Sequence, residues 1–251
     1  MIRFFRKIRY NLMETGKTGK YLKYAIGEIA LVVIGILIAI SINNWNQERQ
    51  LKKVEKSTIE ALISEFQSNK ISIQLCVEMV ELRRLFGDSI RRQLGPEQPT
   101  LSIYKMNTWF GEIGATNRCA ISISILEDIQ SSGNLKIIDN EEIRRNVSKW
   151  SSNLKELERE EEDWASEFSN VFYPYTNKWI SWDDVGNIDN VDNPHFFNSR
   201  FKFDPRLILQ QFEFSNIMSF HTWRMKRVIE LTAKLLEQTE KVLELMQEEL
   251  K

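Results

Sequence analysis

Residues 25–42 read AIGEIALVVIGILIAISI, and 14 of these 18 positions are apolar with a single charge, Glu28. As a helix rising about 1.5 Å per residue, the run spans roughly 27 Å, close to the hydrocarbon thickness of a bilayer. Its borders carry Tyr21 and Tyr24 on one side and Trp45 on the other, the amphipathic rings that favour a membrane–water interface. A signal peptide would have a shorter apolar stretch followed by small residues for cleavage. Here the run empties into Asn43-Asn44-Trp45, so an uncleaved anchor is expected.

Charge sets the expected orientation. Seven basic residues (Arg3, Arg6, Lys7, Arg9, Lys17, Lys20, Lys23) precede the run, against one acid, Glu14, and four (Arg49, Lys52, Lys53, Lys56) follow closely. The excess of Lys and Arg before the span predicts a single-pass protein of the inner, cytoplasmic membrane. Its N-terminus would be cytoplasmic and its C-terminal domain periplasmic or extracellular. Three segments follow: a basic amphipathic arm over 1–24, a transmembrane helix over 25–42 and a helical domain over 43–251. In the arm, Ile2, Phe5, Ile8 and Leu12 recur at helical steps between basic residues, which suits an anionic lipid surface. Membrane lipid is thus the partner expected for residues 1–42. Residues 43–251 carry 27 basic and 33 acidic side chains, a net of −6, so no nucleic-acid partner is expected.

Within the span, Glu28, Gly35 and Ala39 are spaced by 7 and 4 and share one helix face. Gly35-x-x-x-Ala39 is a small-xxx-small pattern that permits close helix approach. One reading makes this face a contact with a membrane protein partner or a second copy in a homo-oligomer. The other places Glu28 at the headgroup level beside Lys20 or Lys23.

Two blocks resemble a known family. The run FFRKIRYNLMETGKTGKYLKYAIGEIALVVIGILIAISINNWNQER (4–49) is similar to the N-terminal signature of a family of uncharacterised bacterial single-pass proteins, domain of unknown function 6090. LEDIQSSGNLKIIDNEEIR (126–144) resembles an interior helix-turn-helix segment of that family. The resemblance implies an envelope location and a helical extracytoplasmic region. It implies no activity, and it carries over no functional residues.

The remainder reads as all-α: the transmembrane helix continues into an antiparallel extracytoplasmic helical bundle with a long aromatic-rich loop. Apolar residues from Leu51 to Val80 fall at steps near 3 and 4, which predicts one long helix ending at Gly95-Pro96. Residues 96–118 read as a connector with Pro96, Pro99, Gly111 and Gly114. A helix over 120–131 is stopped by Gly133, a left-handed cap. Asp139 and Glu142 predict a capping box opening a helix to about Val171. The six acids in Glu156–Asp163 read as a solvated face. A last helix is expected over 206–250.

Chemistry is sparse. His195 and His221 lack metal-ligand spacing, no serine nucleophile elbow is present, and neither an enzyme nor a cofactor is expected. The Asp183–Asp192 stretch lacks the order of a calcium loop and reads as a polar turn. Cys76 and Cys119 form an even pair, so either they join as a disulfide or Cys76 is a core cysteine. Fifteen of the chain's 27 aromatics lie between Trp164 and Trp223. They either seal the bundle or, through Trp179, Trp182, Phe196 and Phe197, offer a binding loop. The function expected is a membrane-anchored, non-enzymatic module binding a partner or ligand. The alternative is a structural tether or self-associating scaffold, with an enzyme site between the helices a distant third.

Overall fold

The computed structural model describes residues 18–115, 118–186, 199–201 and 203–251. All regular structure among them is helical: α1 (Thr18–Arg91), α2 (Ile103–Gly114), α3 (Ser124–Ser131), α4 (Glu141–Glu167), α5 (Tyr173–Thr176), α6 (Trp182–Gly186) and α7 (Phe212–Glu249). Short 3-10 helices cover Asn134–Ile137 and Pro205–Gln210, and a π-helix covers Phe168–Phe172. The chain divides into two compact units, Met1–Ser57 and Thr58–Lys251. The basic arm lies largely outside the described residues.

In the first unit, residues 25–42 of α1 are apolar around the helix but for one charge, Glu28. Its most apolar 18-residue window has mean hydropathy 2.7 and is wholly unburied, a helix long and apolar enough to cross a membrane. A helix without a polar face has no direction in which to pack against a water-facing core, and lipid is the solvent that suits it.

The second unit is built on three long helices. From Ile59 onward α1 buries Ile59, Leu62, Phe66, Ile73, Val80 and Ile90. These positions form one stripe at helical spacing, so the residues facing the other way stay in solvent. On α4, Ile143, Val147, Trp150, Leu154, Leu157 and Trp164 are buried, and on α7 the matching stripe includes Phe214, Met218, Met225, Val228, Leu235, Val242 and Met246. Two layers fix the directions. In one, the Phe66 and Trp150 rings lie 4.7 Å apart, Trp150 Nε1 donates to Thr239 Oγ1 at 2.8 Å, and Lys70 pairs with Glu240 at 2.8 Å. In the other, Gly87 abuts the His221 ring, and Trp164 Nε1 donates to His221 Nδ1 at 3.3 Å. Within this unit α1 and α4 therefore run one way and α7 runs back.

Several boundaries differ from the sequence expectation. The α1 helix ends at Arg91, and the supposed connector contains α2, which buries Met106, Phe110 and Ile113 and is capped by Ser102 through Lys105 N. Asn140, not Asp139, caps α4, its Oδ1 accepting from Glu142 N at 2.9 Å and Ile143 N at 3.2 Å. Helical structure passes Val171 by way of the π-helix and α5. The 206–210 stretch is a 3-10 turn, capped by Asp204, ahead of α7. Gly133 is left-handed, with φ 73°.

The acidic run on α4 is also more than a solvated face. Glu160 accepts from Arg224 Nη1 at 2.6 Å, with Asp163 and Glu167 each 3.7 Å from the same guanidinium. Arg227 donates to Glu156 at 2.6 Å. Placing Arg224 and Arg227 three apart on α7 matches the turn-by-turn repeat of acids on α4.

Candidate functional site

Residues 118–126 cross the flank of the helical unit, and three α1 side chains on one helix face hold them. Glu65, Asn69 and Cys76 are spaced by 4 and 7. Asn69 donates to Ser122 O at 2.7 Å and accepts from Ser122 N at 2.9 Å, a two-point clamp on one residue's backbone. Glu65 is 6% exposed and accepts from Ile125 N at 3.0 Å and Leu126 N at 2.9 Å, with Ser122 Oγ at 3.1 Å. It thereby caps α3 from a distance of about 60 residues in sequence, supplying the acceptor that Ile123 cannot, and its charge lies at the favourable end of the helix. Cys76 is disulfide-bonded to Cys119, with Cα atoms 5.5 Å apart.

Beside that disulfide lies Glu161 of α4, 5% exposed, which accepts from Cys119 N at 3.2 Å. Burial pushes its carboxyl above the usual range, partly countered by the Cys119 N–H and by Arg118, while Glu158 pushes the same way as burial. The sulfur atoms and a Glu161 oxygen all lie within 4.8 Å of one another.

The aromatic-rich region divides in two. Trp164, Phe168 and Phe172 are buried around His221, with Phe168 and Phe172 stacked at 4.5 Å and Phe168 edge-on to His221 at 5.1 Å. Burial holds the His221 imidazole down to about 3, so it is neutral. Trp179 and Trp182 are half-buried against the core; Trp182 packs over Gly114, and its Nε1 donates to Asn177 Oδ1 at 2.7 Å. Phe196 and Phe197 lie outside the described residues.

The aromatic exposure lies further along, in residues the sequence reading did not single out: Phe201 is 82% and Phe212 81% exposed. Phe201 and Phe203 line a groove of about 360 Å³ together with Ile103, Asn107, Asp184 and Pro205. Asp184 closes its floor by accepting from Ser199 N at 2.9 Å. Aromatic density in sequence marks both populations alike; burial separates them.

In the first unit, Glu28 lines a shallow groove with Ala25, Ile29, Val32 and Val33. Among the described residues, nothing beyond its own helix neighbours lies within 4 Å of where a Gly35 Cβ would stand, and Ala39 is exposed.

No curated protein and no solved structure matches this chain. The second block of the sequence resemblance, 126–144, lies outside the residues matched by a family model. Residues 28–86, from the apolar run through Glu65, Asn69 and Cys76, match the model of DUF6090, a family of unknown function and the same family that the N-terminal run resembles.

Proposed function

We propose that this protein is a non-enzymatic, membrane-anchored module whose helical unit binds a partner protein. The observation that carries the reading is a pair of largely exposed rings on the helical unit, Phe201 and Phe212, the first of them lining a groove of mixed polar and apolar character. Large rings left in water are a cost to solubility that a protein contact removes, and aromatic anchors dominate binding energy at such contacts. The apolar half of α1 supports inner-membrane anchoring, and the basic arm before it supports a cytoplasmic N-terminus with the helical unit outside.

Crosslinking in intact membranes, followed by mass spectrometry, tests the reading. Crosslinks from residues 199–212 to one recurrent different protein, lost in Phe201→Ser/Phe212→Ser, support it. Self-crosslinks alone refute it. A reporter enzyme active only outside the cytoplasm, fused after Lys251, tests the orientation, and a silent fusion refutes that part.

A second reading, a self-associating scaffold, is favoured by one observation. Ile71, Leu75, Leu82 and Leu85 are exposed by 49–62% and, with Glu78, follow alternating steps of 4 and 3 along α1. That spacing is the seam of a two-stranded coiled coil. Crosslinks confined to this stripe, abolished by Leu75→Arg, would favour it over the first reading.

A further inference from the structure

The disulfide and Glu161 make a set of reacting atoms that neither anchoring nor partner binding requires. A disulfide that only braces a fold has no use for a buried carboxylic acid beside its sulfurs. Here the two sulfurs differ in access: Cys76 is 3% exposed, while Cys119 lies on the crossing segment and is half-buried. An attacking thiolate therefore reaches the Cys119 sulfur, and the leaving group is the Cys76 thiolate, in an apolar setting where negative charge is costly. Exchange slows when the leaving thiolate is poorly stabilised. Glu161 stands within 4.8 Å of both sulfurs, oriented by the Cys119 N–H.

We propose that the Cys76–Cys119 disulfide is an exchangeable redox site, reduced by a dithiol that attacks Cys119, with Glu161 as the acid that protonates the departing Cys76 sulfur. The first thiolate of the dithiol forms a mixed disulfide with Cys119 as the Cys76–Cys119 bond breaks, and the electron pair goes to Cys76, which takes the Glu161 proton. The second thiol of the dithiol, once deprotonated, attacks its own sulfur in the mixed disulfide and releases Cys119 as a thiolate, which solvent protonates. Two cysteine thiols and one oxidised dithiol result, and Glu161 regains its proton from water. In the reverse direction Glu161 accepts the Cys76 proton. Burial keeps Glu161 protonated at higher pH than an ordinary glutamate, against the pull of Arg118 and the Cys119 N–H and with the help of Glu158.

The test uses the full chain in detergent micelles with dithiothreitol as the dithiol, scoring free thiols by alkylation and mass. Glu161→Gln keeps an oxygen to accept from Cys119 N–H but has no proton to give. Expected is reduction of the folded protein slowed at least about tenfold in the variant, a threshold set below the roughly 100-fold at which general-acid contributions begin, with thermal unfolding of the oxidised form retained. Rates within a factor of about two of each other overturn the proposal, as does reduction of the parent only at its rate of global unfolding. If the variant fails to fold, the parent alone decides. Its rate per dithiothreitol thiolate should fall as pH rises through the raised range in which Glu161 loses its proton, and a flat profile overturns the assignment.

Discussion

The two stretches of α1 differ in what they leave exposed. Over 25–42 the exposed residues are overwhelmingly apolar, and Leu37 is 57% exposed. Beyond Ile59 the same helix carries a buried stripe ending at Ile90, and polar residues fill most of the opposite side. The difference teaches that exposure has no fixed meaning along this chain. An exposed Leu37 sits in a run apolar enough to suit hydrocarbon, whereas an exposed Leu75, at 61%, stands opposite a buried stripe among polar neighbours.

The largest effect that would break this contrast is core truncation. Phe66→Ala should lower the stability of the helical unit by about 3–5 kcal/mol, since a fully buried ring packed on Trp150 leaves a cavity. Leu37→Ala should leave the unfolding midpoint of that unit unchanged. Denaturant unfolding followed by tryptophan fluorescence reads both, and equal losses would show that the two halves share one core.

Charge insertion reverses the asymmetry. Leu37→Arg should cost about 3 kcal/mol at the middle of a span and shift the chain out of the alkali-resistant membrane fraction. Leu75→Arg should leave membrane retention intact. Loss of retention in both would mean that residues beyond 42 contribute to the anchor.

A titrating group in the core gives the helical unit a pH response. His221 has a folded-state value of about 3, below the ordinary 6.5, so the unfolded chain binds the proton more readily. The stabilisation from keeping it neutral is full above about pH 6.5 and is lost as pH falls toward 3, amounting to about 2 kcal/mol by pH 5. Glu161 and Glu167, both raised by burial, act in the opposite sense: their contribution is present below the ordinary carboxylate range and declines as pH rises through their raised values. The measurement is therefore the difference in thermal midpoint between parent and His221→Leu across that window. It should narrow as pH falls, and a constant difference would remove His221 from the account.

The smallest effect is expected at Lys70→Ala. Lys70 and Glu240 meet at 2.8 Å but are 37% and 50% exposed, so the loss should stay under about 1 kcal/mol. A larger loss would mean that this layer depends on charge as well as on Phe66 and Trp150.

The long helices were legible because α1, α4 and α7 repeat an apolar period over many turns, where local and tertiary preferences agree. The α2 helix was missed although Ser102, Met106, Phe110 and Ile113 spell its cap and buried face, because Gly111 and Gly114 weighed against it. Gly114 gives Trp182 room: a Cβ there would lie 3.2 Å from the indole, closer than ordinary contact. The cap of α4 slipped by one residue because Asp139 and Asn140 are both good caps, and only the backbone decides between them. Glu65 and Asn69 acting on residues 122–126 had no sequence signal at all, since contacts across 53 to 61 residues leave no local period. Aromatic density located the aromatic-rich region but pointed to Trp179, Trp182, Phe196 and Phe197, of which the first two are half-buried and the last two lie outside the described residues, and not to the exposed Phe201 and Phe212.

The π turn at Phe168–Phe172 acts as a gear tooth in the chain's numbering. A turn of this type holds one residue more than an α-turn, so the helix beyond it is phased as though a residue had been inserted. Phe172, Tyr175 and Thr176 reach the interior in that shifted phase. Winding 168–172 as ordinary α-helix with every residue kept would turn everything after it by about 100° and face the aromatic layer the wrong way. Removing one residue at the same time would cancel that turn, so the layer would keep its face in a chain one residue shorter.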